Sequence, residues 1–182
     1  MKKSIFIASI LLCTCFHQAK AQETPDVIVP GTYYQDNVIN HYAGTWKWTS
    51  GTDTFTIVLV KKKLDLDDHS MDVLSGGYRY VKNGVEVINT LSDVNLDIND
   101  DNSPVASLES IVREGNELMF GFIDRGNSNR SGHVNVVITP TGNTFSMTWW
   151  LVGAGLRYQA PNAPPLPQGW SVPNEGIVLV KQ

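Results

Sequence analysis

The chain has 182 residues, of which 42% are hydrophobic and 18% charged, with a formal net charge of −4. Those values fit one ordinary globular domain and exclude collagen-like, coiled-coil and wholly disordered chains. The acidic balance argues against nucleic acid or an anionic membrane surface as the main partner, because both are held by clustered Lys and Arg. The one basic cluster, Lys61-Lys62-Lys63, ends a predicted strand and reads as a solvated edge.

Residues 1–21 read as an export signal. Lys2 and Lys3 form a positive n-region, Ile5 to Leu12 an apolar h-region, and Ala19-Lys20-Ala21 a small-x-small cleavage site before Gln22. The apolar run is far shorter than the roughly 20 residues of a spanning helix. No other segment approaches that length, so the expectation is a soluble, monomeric protein of the periplasm, cell surface or exterior with no transmembrane segment. Lipid attachment at Cys15, within Leu12-Cys13-Thr14-Cys15, is the competing reading. Either way no cysteine remains in the body of the domain, which excludes an internal disulfide, a thiol nucleophile and a thiolate metal site there.

Residues 22–41 contain Pro25, Pro30 and Gly31 without a sustained period and read as an extended arm. From there residues 42–182 form one domain in which apolar and polar residues alternate. Phe55, Ile57 and Leu59 share one face of a predicted strand; so do Val94, Leu96 and Ile98, then Leu118, Phe120 and Phe122, then Val134, Val136 and Ile138, then Phe145, Met147, Trp149 and Leu151. Alternation of this kind describes half-buried strands. Asn83-Gly84 supports a two-residue hairpin turn, because both central positions of a type I′ turn need positive φ. Glu114-Gly115-Asn116 and Pro140-Thr141-Gly142-Asn143 are the next two hairpin turns. The stretch Leu64 to Leu74 reads as a loop followed by strand entry. Residues 153–176 hold five prolines and Trp170, and read as a long loop in which Trp170 and Leu166 plug one end of the fold. Ile177 to Val180 return as the last strand.

The pattern predicts an all-β antiparallel meander of about nine to ten strands. Short hairpin links favour a closed barrel or strongly curled sheet, with a β-sandwich as the alternative.

Gly44-Thr45-Trp46-Lys47 resembles the opening strand of the calycins, the lipocalins and fatty-acid-binding proteins. That resemblance implies a barrel whose tryptophan packs across the closed end. The second lipocalin block, Thr-Asp-Tyr, is absent, and Ser50 to Asp53 leaves no room for lid helices. Over most of the chain, Tyr42-Ala43-Gly44-Thr45-Trp46, Gly77-Tyr78-Arg79-Tyr80 with Asn83-Gly84 and Asn89-Thr90-Leu91, and the terminal Ile177-Val178-Leu179-Val180-Lys181 resemble a family of small exported bacteroidete proteins carrying a domain of unknown function. This implies an envelope or extracellular location and supplies no activity and no functional residues.

Several constellations hold side chains capable of chemistry. Asp67, Asp68, His69 and Asp72 are the densest group of potential ligands but match no zinc spacing. Asp97, Asn99, Asp101 and Ser103 begin like a calcium loop, but Asn102 replaces the turn glycine and Leu108 the bidentate Glu. Glu86, Glu109 and Glu117 are the carboxylates available to a glycan-active enzyme, the least favoured reading. The expectation is no cofactor, no metal and no catalysis. Aromatic residues are the richer inventory: Phe55, Phe120, Phe122 and Trp149 as the lining for a small apolar ligand, and Trp150 as a ring on the polar face that either packs under the loop at residues 153–176 or contacts a partner. The leading expectation is a non-enzymatic exported binding module. The alternative is a surface interaction or inhibitor protein that binds an envelope partner through residues 153–176.

Overall fold

A computed structural model describes residues 28–154 and 169–182. The signal segment, Cys15, residues 22–27 of the arm, and Leu166 with most of the proline-rich stretch lie outside the described residues.

Ten strands follow in chain order: β1 (Tyr33–Tyr34), β2 (Gly44–Ser50), β3 (Asp53–Asp65), β4 (Ser70–Lys82), β5 (Val85–Asn89), β6 (Leu108–Glu114), β7 (Glu117–Asp124), β8 (Arg130–Thr141), β9 (Thr144–Ala154) and β10 (Ile177–Lys181). Eight of them run as an antiparallel circuit, β4-β3-β2-β10-β9-β8-β7-β6, and β6 returns to β4. The all-β barrel expected from the alternation is thus the fold, and the sandwich is not. The last strand, β10, closes on β2 through Val180↔Lys47 and Lys181↔Trp46. The β4–β6 seam is brief, with Ser75↔Glu109 and Gly76↔Leu108 only. Closure thus covers the sheet's edges in part, and most of β6 has no ladder partner on its β4 side.

Turn chemistry sets the hairpins. Asn83 and Gly84 both adopt positive φ, 52° and 75°, as the β4–β5 turn requires. Gly115 and Gly142 take the same region in the β6–β7 and β8–β9 turns. β3 and β4 pair over their full lengths, from Thr54↔Val81 to Asp65↔Ser70. Within Leu64 to Leu74 the connection is only residues 66–69 and strand resumes at Ser70, the loop followed by strand entry that the sequence predicts. At that far end β1 adds in parallel, Tyr33 to Ser70 and Tyr34 to Met71. The arm is thus pinned to the barrel, and a 3-10 turn at Val38–His41 leads into β2.

One expected strand is absent. Leu91–Asn95 is a 3-10 turn and Leu96 is extended loop. The alternating acids and amides there serve local hydrogen bonds. Asp97 Oδ1 accepts from Asn99 N–H (3.0 Å), and Asn99 is clipped to the edge of β3 through Asp65 N–H and the Lys63 carbonyl. Asx side chains compete in this way with a strand ladder.

Alternate residues converge on one interior. Trp46, Phe55, Tyr78, Phe120, Phe122, Val136, Met147, Trp149 and Leu179 are each at most 1% exposed. Each large apolar side chain so buried contributes about 1.5–3 kcal/mol. Trp46 lies across the end nearest the arm. Its indole N–H donates to the Tyr42 carbonyl at 2.7 Å, and Lys181 sits over its ring.

Candidate functional site

The interior rings pack on one another. Trp149 meets Phe55 at 5.1 Å and Phe122 at 5.7 Å between centroids, both edge to face. Tyr78 joins Phe122 at 5.1 Å and Phe55 at 6.1 Å. This brings together three of the proposed lining residues, Phe55, Phe122 and Trp149. Phe120, two residues before Phe122 on β7, is buried in the same core. Trp150, next in chain to Trp149, points the other way and is 43% exposed.

The barrel end that holds these rings is closed by residues 169–174. Trp170 packs on Phe122 at 5.8 Å, with the Arg130 guanidinium 4.5 Å above its ring. Val172 is buried in the core, and the Pro173 carbonyl accepts the Trp149 indole N–H at 3.1 Å. Gly132 makes this possible, because a Cβ there would sit 2.5 Å from the Trp170 ring.

Beneath this closure lies Asp124, fully buried at the end of β7. Its carboxylate accepts from Ser171 N–H (2.6 Å), the Ser171 hydroxyl, Gly126 N–H (3.1 Å) and the Tyr78 hydroxyl (3.3 Å). Burial, reinforced by the Asp124 charge, pushes the Tyr78 hydroxyl well above its ordinary pKa. Neither residue is among the site candidates that the sequence pattern offers. Asp124 falls on the inward phase of Leu118, Phe120 and Phe122, and a carboxylate on an apolar row is the signal that marks it.

Asp72 carries the same signature on β4, in phase with Leu74 and Tyr78, at the opposite end of the barrel. It accepts from the Tyr33 hydroxyl (2.6 Å), Asp36 N–H (3.0 Å) and Lys61 (3.0 Å), while Asp36 takes Arg113 at 2.8 Å. Burial raises its pKa, but the Tyr33 hydroxyl and Lys61 outweigh that and hold the carboxyl below its ordinary value. These bonds dock the arm.

Of the other constellations, Asp68 is bonded to His69 at 2.6 Å beside a surface depression of about 460 Å³ under the β3–β4 turn. Among the described residues, no group of three or more His, Cys, Asp or Glu stands together as a metal site. Glu86 is paired with Arg79, and Glu109 and Glu117 lie on the outer face of β6 and β7. Among the described residues no helix is long and apolar enough to cross a membrane.

The outer face of β7 to β10 is a different surface. Trp150 pairs in register with Asn135 of β8, which pairs with Met119 of β7. One rung away stand Val152 and His133; on the other side stand Val178, Thr148, Val137 and Glu117. Trp150, Val152, Val178 and Val180 are all exposed by more than two fifths. The last strands thus present an apolar ridge with polar groups between.

No curated protein and no solved structure matches the chain. A family model described as "Family of unknown function (DUF6705)" matches residues 1–182, and the chain belongs to that family.

Proposed function

We propose that the protein is an exported, non-enzymatic binding module that engages its partner with the outer face of β7 to β10, centred on Trp150. The observation that carries this is the contrast between two neighbours: Trp149 is 1% exposed and Trp150 43%. A large ring held outward on a rigid strand is costly to leave wet and is a common centre of recognition. Export rests on the signal-like segment Lys2 to Ala21. The binding role is supported by the commitments of the buried acids, since Asp124 and Asp72 are occupied by internal hydrogen bonds.

The reading of Phe55, Phe120, Phe122 and Trp149 as the lining for a small apolar ligand would need those rings to part. Contacts at 5.1 and 5.7 Å between Trp149 and its neighbours weigh against it. The reading in which residues 153–176 make the contact falls largely outside the described residues, and Trp150 is its described component.

The test is retention of envelope material by immobilised protein lacking residues 1–21, compared with Trp150→Ala. Retention by the first and loss in the second is the expected result. Equal retention by both would overturn the proposal, and a lipid that co-purifies and survives native mass spectrometry would restore the interior reading.

A further inference from the structure

The geometry points to a neutral polysaccharide chain as the partner of the Trp150 face, an inference that rests on the outward-face reading above. Three features of the face select this chemistry. First, its apolar and hydrogen-bonding side chains alternate across the strands: Trp150 stands beside Asn135, Val152 beside His133, and Val178 beside Thr148. A protein interface core gathers its apolar groups together and excludes charge. A sugar chain instead offers C–H patches and hydroxyls in close alternation, which this checkerboard complements. The indole stacks on C–H groups, while the amide, imidazole and hydroxyl beside it exchange hydrogen bonds with the sugar hydroxyls.

Second, the charge on these rungs is acidic. Glu117 stands in register with Val137, and neither Lys nor Arg occupies the rungs of Trp150, Val152 or Val178 on β7 to β10. A carboxylate accepts from hydroxyls but repels phosphate, sulfate and uronate, so an anionic polymer or membrane surface is selected against. Third, the face is carried on paired strands of the closed barrel, gently convex and fixed in register. Strands about 4.8 Å apart with same-face residues about 6.8 Å apart along each strand give a patch of roughly 14 Å by 14 Å. That span takes a short run of sugar units, and the closed sheet leaves little ordering cost on the protein side.

The experiment is native electrophoresis of the protein lacking residues 1–21 through gels containing hydroxyethylcellulose, glucomannan or polygalacturonate, with Trp150→Ala, Trp150→Phe and Asn135→Ala run alongside. Retardation in a neutral gel is expected. Trp150→Ala should weaken it at least tenfold, Trp150→Phe should recover part of it, and polygalacturonate should leave mobility unchanged. Mobility unaffected by both neutral polymers, or retardation indifferent to Trp150→Ala, overturns the glycan inference. A second arm separates its failure from that of the reading beneath it. Envelope material treated with periodate, which cleaves vicinal diols, should no longer be retained, whereas protease-treated material should be. The reverse pattern ends the glycan inference but keeps Trp150 as the contact. Absence of any Trp150-dependent retention from untreated material ends both.

Discussion

The Tyr78 hydroxyl lies 3.3 Å from Asp124 Oδ1, and this contact seals the barrel where its ladder stops. Above the brief Ser75–Gly76 pairing with β6, β4 turns to β5 instead. The remaining gap is bridged by Tyr78, which donates to Asp124 and accepts from Arg125 N–H at 2.9 Å. The same carboxylate holds Ser171, so one buried group joins the seam to the closing segment.

Tyr78→Phe should therefore destabilise the protein by about 1–3 kcal/mol, the cost of leaving buried partners unsatisfied. Asp124→Ala should cost more, because it strands four donors at once. Urea unfolding followed by tryptophan fluorescence measures both. Equal stability of Tyr78→Phe and wild type would show that the seam does not need the hydroxyl.

Glycine at 77 is dictated by close approach. A Cβ there would lie 1.9 Å from the Thr90 carbonyl oxygen, where the chain crosses the outer side of β4. Gly77→Ala should cost over about 4 kcal/mol or abolish folding, since backbone cannot yield as a side chain can. At Gly121 a Cβ would meet the Ile111 side chain at 3.5 Å and the Glu109 carbonyl oxygen at 3.8 Å, both in ordinary contact. Gly121→Ala should be neutral or stabilising by up to about 1 kcal/mol through the unfolded chain. Thermal unfolding of the two variants checks the contrast.

Stability should fall in acid through Asp72. Its folded-state pKa is depressed, because the Tyr33 hydroxyl and Lys61 outweigh the burial that would raise it. Its unfolded pKa is about 3.9. The unfolded chain therefore takes up the proton first on acidification. The contribution is fully present above about pH 5 and is lost as pH falls through the folded value. In Asp72→Asn that part of the pH dependence should vanish. Urea midpoints between pH 2 and 6 measure it, and parallel curves for the two proteins would contradict the assignment.

The neighbouring tryptophans should behave oppositely. Trp149→Ala removes a ring packed on Phe55 and Phe122 and should cost about 3–5 kcal/mol. Trp150→Ala should stay within about 0.5 kcal/mol, as surface substitutions do. Denaturant titrations of both distinguish a core pair from a core residue beside a surface one.

The barrel was legible because its interior rows are long and nearly uniform. Phe55-Ile57-Leu59 and Phe145-Met147-Trp149 alternate with hydroxyls or more exposed residues, and Asn83-Gly84 turns where positive φ is needed. The same alternation misled at Val94-Leu96-Ile98, where Asp93 and Asp97 turn back on nearby backbone: Asp93 takes the Ser107 N–H at 2.9 Å. A period of two carries no information on which polar groups bond locally. Asp72 and Asp124 sit in phase with apolar neighbours, yet their donors come from residues as distant as Tyr33 and Ser171, which spacing alone cannot reveal. Trp150 was legible as a ring on the polar face; its neighbours Asn135, His133 and Val178 required the strand register.

The most direct measurement is the set of indole ¹H–¹⁵N signals, recorded before and after adding the retained envelope material. Slow solvent exchange at Trp46 and Trp149, fast exchange at Trp150, and a shift on addition confined to Trp150 and its strand neighbours are the results predicted. A shift centred on Trp149, with Trp150 unmoved, would place the binding site inside the barrel and contradict the account.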